Sequence, residues 1–169
     1  VFGVISLALA GCMGHARPDW VQKNRGAFLN KQVFYGVGKI SATQSDALLK
    51  MTAEKMAQSE LVRILDAFIV SLIKDYAQTL SEADLKEFNE TQNAERVLKT
   101  YATTSILFHI AHIKSWTDPK DGTFYSLARL TLGLFKEEIA DARELSPALK
   151  GFIRKNAKES FDRFQMQIE

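Results

Sequence analysis

The feature that most constrains the fold is a long segment, from Asp46 to Tyr76, that contains neither glycine nor proline. Thr43 followed three residues later by Asp46 is a helix-start signature. Apolar residues then recur at helical spacing, at Leu48, Met51, Leu61, Val62, Leu65, Phe68, Ile69, Leu72, Ile73 and Tyr76. The pattern predicts one long central helix, with a stripe wide enough to lie across a sheet.

A candidate first strand precedes this helix, from Lys31 to Ile40, and is rich in β-branched and aromatic residues. Gly36 and Gly38 fall on one face of that strand, which leaves the face bare, so a helix can approach the backbone closely or the strand can bend. A phosphate-binding loop would need a third glycine at position 41, where the chain has serine. We therefore interpret Gly36 and Gly38 as packing glycines.

Two further β-rich segments, Ile106 to Trp116 and Thr123 to Leu132, flank a turn cluster that contains a proline and a glycine. This arrangement predicts a hairpin. His109 and His112 would then point to opposite faces of the first strand, so one zinc ion could not bind both unless the segment were helical. We predict no metal site and no cofactor.

The remaining segments predict shorter helices. Ser81 with Asp84 repeats the start signature, the polar stretch 89–93 predicts a break, and helical spacing resumes from Ala94 to Tyr101. A short helical turn is expected after Pro18, with Trp20 covering the core, and a charged helix over 135–143, where Glu137 and Glu138 would form a solvated face.

Pro147 predicts the start of a last helix, with an apolar stripe at Leu149, Phe152, Ile153, Ala157, Phe161, Phe164 and Ile168. The same helix carries basic residues at Lys150, Arg154, Lys155, Lys158 and Arg163. It could lie on an anionic membrane surface or pack on its own domain, and the second alternative is the commoner one for such a stripe. The segments together predict an α+β fold, a small antiparallel sheet of about three strands with a long central helix and a C-terminal helix packed on it.

The chain begins with an uncharged apolar run, residues 1–12, that is too short to cross a bilayer but has the length of a signal-peptide core. We expect a basic segment before it, because signal peptides start with one. Leu9, Ala10 and Gly11 before Cys12 resemble the lipobox of bacterial lipoproteins. That resemblance implies cleavage before Cys12 and acylation of its thiol. The alternative is that the run packs in the core with Cys12 as a small buried residue.

Composition supports one domain after the signal. The chain has 169 residues, 46% of them hydrophobic, and 22 basic against 20 acidic residues, a balance that does not predict nucleic-acid binding. We predict a signal peptide over 1–11, a lipidated tether over 12–18 and a single α+β domain over 19–169.

The segment 18–132 resembles the Lpp-twenty family of small bacterial lipoproteins. The likeness is carried by Pro18-Asp19-Trp20, the strand with Gly36 and Gly38, the long helix, and Trp116 followed by the turn and Tyr125-x-Leu127-x-Arg129-Leu130. It implies a lipid-anchored envelope protein, a surface antigen or a component of a flagellar accessory ring. Met13, where an aspartate commonly retains lipoproteins in the inner membrane, implies the outer membrane by resemblance to that sorting pattern.

Two function classes follow. The first is a structural or assembly lipoprotein, whose partners are the bilayer through acylated Cys12 and either further copies of itself or other envelope proteins. The second is a membrane-tethered periplasmic binding module or hydrolase, which would need convergent polar groups in a pocket. The chain has neither a Gly-x-Ser-x-Gly elbow nor a metal-ligand spacing, so we predict that it is not an enzyme.

Overall fold

A computed structural model describes residues 16–23, 28, 31–42, 45–81, 88–109 and 112–167, and places the side chains of all of these except 88–92, 105–109 and 112. The elements are α1 (Asp19–Gln22), β1 (Val33–Ile40), α2 (Asp46–Ala77), α3 (Phe88–His109), β2 (His112–Thr117), β3 (Phe124–Thr131), α4 (Leu132–Asp141) and α5 (Pro147–Gln167). The α+β fold predicted from the sequence is confirmed. Among the described residues, no helix has the length and apolar content needed to cross a membrane.

The three strands form one antiparallel sheet in the order β1-β3-β2, so β3 is central and β1 is an edge strand. Val33 faces Thr131 at one end of the β1–β3 pair, and Trp116 faces Tyr125 in the β2–β3 hairpin. The hairpin turn has Gly122 at φ +71°, a conformation that favours glycine. The amide of Gly122 donates to the Asp118 carbonyl at 2.9 Å. The predicted hairpin is confirmed.

Helix α2 covers one face of the sheet, and its second half forms the centre of the core. Phe68 of α2 is fully buried and lies among aromatic rings from β1, α4 and α5. The ring centroids lie 5.1 to 5.7 Å from that of Phe68 for Phe34, Phe135, Phe161 and Phe164. Tilted and edge-to-face aromatic pairs at such separations stabilise the core beyond the area they bury.

The N-terminal segment contacts the opposite face of the sheet. By strand alternation Leu127 points away from α2, yet it is only 2% exposed. On that face Phe28 stacks on Tyr35 with ring centroids 4.2 Å apart, and the Arg17 guanidinium lies 5.7 Å from the centre of the Trp116 ring. Arg17 also forms an ion pair with the buried Asp118 of the hairpin turn. Residues of the N-terminal segment therefore pack on the face of the sheet opposite α2.

Helix α5 packs on its own domain, since Leu149, Ile153, Ala157, Phe161 and Phe164 are all buried. Of the two alternatives for this helix, the structure supports packing, because its apolar stripe faces the core and not the outside.

The contact between α5 and α2 includes a polar cluster. Asp75 of α2 accepts a hydrogen bond from the Ser160 hydroxyl at 2.6 Å and forms an ion pair with Arg163 at 2.8 Å. Ser160 is fully buried, and Asp75 accepts the hydrogen bond that its hydroxyl donates, while Arg163 donates to the same hydroxyl at 3.4 Å.

Two of the predicted element boundaries are wrong. Helix α3 runs through the polar stretch 89–93, where a break was predicted; without glycine or proline, that stretch has no backbone reason to end a helix. The first hairpin strand starts at His112 and not at Ile106, because α3 continues to His109 and packs against α2 through the buried Leu98 and Ala102. A short β-branched and apolar segment fits either structure, and tertiary packing decides between them.

The start of α2 also differs from the sequence signature. Helix α2 begins at Asp46 with Ser45 in the N-cap position, and the Ser45 side chain makes no capping hydrogen bond. Thr43, to which the signature assigned that role, lies outside the described residues.

Candidate functional site

The contact between β1 and α2 positions the two elements that line the candidate site. A Cβ atom on Gly38 would lie 1.9 Å from the carbonyl oxygen of Ala53, and one on Gly36 would lie 2.1 Å from the carbonyl oxygen of Ala57. Real Cβ atoms do not approach backbone this closely. The backbone of α2 therefore rests directly on the strand at these two positions.

The spacings of strand and helix match along this contact. Two strand residues advance by about 6.6 Å, and four helical residues by about 6 Å. Gly36 and Gly38 thus face successive turns of α2, which runs antiparallel to β1 and presents Ala53, Ala57 and Leu61, each fully buried. The glycines of β1 and the alanines of α2 are small enough to let the two backbones approach closely.

Backbone groups of β1 point to the outer edge of the sheet. Gln32 accepts a hydrogen bond from the amide of Leu132 at 2.9 Å, which places the even-numbered residues of β1 in the hydrogen-bonded pairs with β3. By alternation, Val37 and Lys39 direct their amide and carbonyl groups away from β3. No other strand among the described residues pairs with this edge.

A groove of about 660 Å³ runs along this edge, between β1 and the flank of α2. Met51 and Met56 of α2 line it and are 47% and 46% exposed. Its full lining is Tyr35, Val37, Met51, Thr52, Lys55, Met56, Ser59, Glu60, Arg63 and Ile64. The groove combines a strand edge with flexible apolar side chains, and methionine adapts readily to different contact surfaces.

The charged side chains of the groove are not equivalent. Arg63 donates two hydrogen bonds to the Glu60 carboxylate, at 2.6 and 2.8 Å, and this bonding raises the pKa of Arg63. Within the described part of the chain, Lys55 has no acidic partner. The groove thus offers one uncompensated positive charge beside its apolar lining.

The site residues predicted from the sequence have different outcomes. Gly36 and Gly38 lie against the backbone of α2, with no room for a phosphate at that face, and they are not among the residues that line the groove. Cys12 and the lipobox residues Leu9, Ala10 and Gly11 lie outside the described residues, so lipidation stays a prediction.

The observed start of β2 separates the two histidines. His109 ends α3 and His112 starts β2, so they do not share a strand, and the opposite-face argument against a shared zinc ion no longer applies. Their side chains lie outside the described part of the structure. Among the side chains that are described, no group of three or more potential ligands could hold a metal ion.

The sequence interpretation missed the groove because it assigned Leu48 and Met51 to the buried stripe of α2. Leu48 and Met51 are 46% and 47% exposed. The exposure of Met51 could have been predicted from the alanines at 53 and 57, which mark the face of α2 that meets the glycines. Met51 lies two residues before Ala53, which places it about 200° around the helix from that face.

Comparison with protein-family models, with curated proteins and with solved structures finds no match for this chain.

Proposed function

We propose that this protein is an assembly component of the bacterial cell envelope, held at the outer membrane by a lipid on Cys12. Its role is to bind other proteins. The observation that carries the contact role is the groove beside the edge strand β1, where exposed methionines flank outward-facing backbone groups. Natural proteins usually cover or charge such an edge unless a partner uses it.

Attachment to a membrane makes such a contact surface effective. A lipid anchor confines the domain near one surface, so weak contacts are strengthened by the raised effective concentration of partners. A single acyl chain binds a membrane only marginally, and stable attachment needs two signals or chains. The lipobox-like sequence Leu9-Ala10-Gly11-Cys12 is what supports a multiply acylated anchor.

The test is separation of membranes on a density gradient, combined with mass spectrometry of the Cys12 peptide and crosslinking in intact cells. The expected result is an acylated Cys12, recovery in the outer-membrane fraction and crosslinks to further copies or to other envelope proteins. Cys12→Ala should release the protein from membranes or leave it unprocessed. An unmodified Cys12 peptide in the membrane fraction, or a protein with no crosslinks in intact cells, would reject the proposal.

A second function, a membrane-tethered module that binds a small ligand, is favoured by one observation. The groove volume of about 660 Å³ falls within the range of about 300 to 1,000 Å³ typical of small-molecule sites. Such sites enclose most of their ligand, whereas this groove runs along a strand edge. A small-molecule screen that raises the melting temperature of the protein would favour this alternative.

A further inference from the structure

We propose that the groove beside β1 binds an extended peptide segment of a partner protein, which adds to the sheet as a fourth strand. The segment has apolar side chains at alternate positions and one acidic residue that pairs with Lys55. This inference deepens the proposed assembly role, on which it rests, by naming the kind of partner that the groove fits.

The backbone of β1 supplies the main attachment. Val37 and Lys39 direct amide and carbonyl groups to the outer edge, as the hydrogen bond between Gln32 and Leu132 requires. The amide of Val33 bonds to the Lys31 carbonyl at 2.8 Å and not to β3, in agreement with that alternation. An added strand takes up such groups in a new ladder, which is the mode of recognition at exposed sheet edges.

The length of the groove sets the length of the segment. The lining of α2 extends from Met51 to Ile64, which is about 20 Å at 1.5 Å per helical residue. A strand covers that distance with about six residues. Because α2 runs along β1 rather than across it, a strand paired with β1 keeps contact with the helix over this whole length.

The chemistry of the helix flank sets the side chains of the segment. Alternate residues of an added strand point to the α2 side of the sheet, where Met51, Met56 and Ile64 form an apolar surface. Lys55 lies among them without an acidic partner in the described residues, while Arg63 is engaged by Glu60. Apolar residues with one carboxylate complement this lining.

A second copy of this chain fits the groove less well than a peptide does. Helix α2 lies directly over β1, with its backbone against Gly36 and Gly38. Two edge strands that pair lie about 4.8 Å apart, whereas packed helices need about 8 to 10 Å between their axes. Antiparallel pairing of β1 with β1 of another copy would place both α2 helices on the same face of the joined sheet and crowd them together. A segment without its own covering helix avoids this clash.

The test measures peptide binding to the purified 169-residue chain by fluorescence anisotropy. The probe is a labelled octapeptide, acetylated and amidated, in which leucine and threonine alternate and one central leucine is replaced by aspartate. We expect saturable binding. The matched control is the same peptide with alternate backbone amides N-methylated, which keeps the side chains but cannot form the ladder and should bind at least about tenfold more weakly.

Variants of the chain locate the site. Val37→Pro removes an outward-facing amide that β3 does not use, a position where an edge strand tolerates proline, and should abolish binding. Met56→Glu should weaken binding about tenfold or more by placing a charge in the apolar lining. Val70→Glu is the matched control, since Val70 is 43% exposed on the same helix outside the groove, and it should bind normally.

A charge exchange tests the role of Lys55. Lys55→Glu should weaken binding of the aspartate peptide. The same variant should bind a peptide with lysine in place of that aspartate more tightly than the parent does. Recovery of affinity in this pairing is an effect that general damage to the fold cannot produce.

Several outcomes would overturn the proposal. They are failure of the parent to bind the octapeptide, equal binding of the N-methylated peptide, or unchanged affinity in folded Val37→Pro and Met56→Glu. A concentration-dependent dimer in sedimentation that Met56→Glu dissociates would assign the groove to a second copy. Failure of the assembly role is distinguishable, because an unacylated, membrane-free protein that still binds the peptide would reject only that role.

Discussion

The two halves of α2 differ in how completely they are covered. In the second half Leu65, Phe68, Ile69 and Leu72 are at most 1% exposed, beneath α3, α4 and α5. In the first half Leu48, Met51 and Met56 are each almost half exposed, although Ala53 and Ala57 on the same turns are fully buried against β1. The second half is enclosed from several sides, although Val70 is 43% exposed. The first half is held tightly on one side and is open on its flank.

This difference shows that an apolar residue on a helix is buried only where another element covers it. The first half of α2 has the same absence of helix breakers as the second but fewer large apolar side chains. What it lacks among the described elements is a helix on its flank, because α3 and α5 pack farther along. The open flank is therefore a property of the tertiary arrangement, and it creates the groove.

The largest effect should separate the two halves directly. Phe68→Ala should lower the free energy of unfolding by about 4 kcal/mol, since it leaves a cavity at the centre of the aromatic cluster. Met56→Ala should change it by no more than about 0.5 kcal/mol, because its side chain is half exposed. Urea denaturation of both variants measures the contrast. Similar losses in the two variants would show that the groove is covered in solution.

The next effect concerns the tight side of the first half. Gly38→Ala should lower the free energy of unfolding by about 1 to 3 kcal/mol, because the new methyl group meets the backbone of α2 and must push strand and helix apart. The matched control is Gly151→Ala in α5, where a Cβ meets nothing within 4 Å and alanine should stabilise the helix by about 0.5 to 1 kcal/mol. Thermal melts compare them. Retention of full stability in Gly38→Ala would contradict the direct strand–helix contact.

A smaller loss of stability is expected at the polar cluster between α2 and α5. Asp75→Ala leaves the buried Ser160 hydroxyl without its acceptor and should lower the free energy of unfolding by about 1 to 2 kcal/mol. This loss is near the lower end for an unsatisfied buried group because Asp75 is partly exposed. Asp162→Ala is the control; Asp162 pairs with the exposed Lys158 at 3.2 Å, and such pairs contribute at most about 1 kcal/mol. Equal losses in denaturation of both variants would show that Ser160 does not depend on Asp75.

The smallest effect concerns Asp66, which lies where the covered half begins. Burial raises the pKa of Asp66, and the charge of Lys99 opposes that rise. Within the described part of the chain Asp66 Oδ1 has no hydrogen-bond partner. An acid with a raised pKa binds more protons in the folded state, so its contribution to stability falls as pH rises above the unfolded value. Asp66→Asn should remove this fall.

Melting temperatures at acidic and neutral pH check the prediction for Asp66. The rise in melting temperature of Asp66→Asn over the parent should be larger at pH 7 than below pH 4. A gain that is the same at both values would mean that ionisation of Asp66 is not its cause, and a gain confined to low pH would reverse the sign of the argument.

Local features of the chain were predictable because their causes lie within a few residues. The hairpin follows from the turn cluster that ends at Gly122, and the start of α5 follows from Pro147. The close approach of a helix to β1 follows from the spacing of Gly36 and Gly38. The break at 89–93 and the early start of β2 were wrong because polar or β-branched composition, without glycine or proline, leaves the choice of helix or strand to packing partners elsewhere.

The sequence by itself determined the long helix, the glycine face of the first strand and the hairpin, since periodicity, side-chain size and turn chemistry act over short distances. Only the tertiary structure decided that β1 pairs with β3, joining Val33 to Thr131 across more than half of the chain, and that β1 remains at the edge. It also decided which half of α2 is enclosed. The reason is physical: strand pairing and burial depend on surfaces brought together from distant parts of the chain, and no local pattern specifies which surface will meet another.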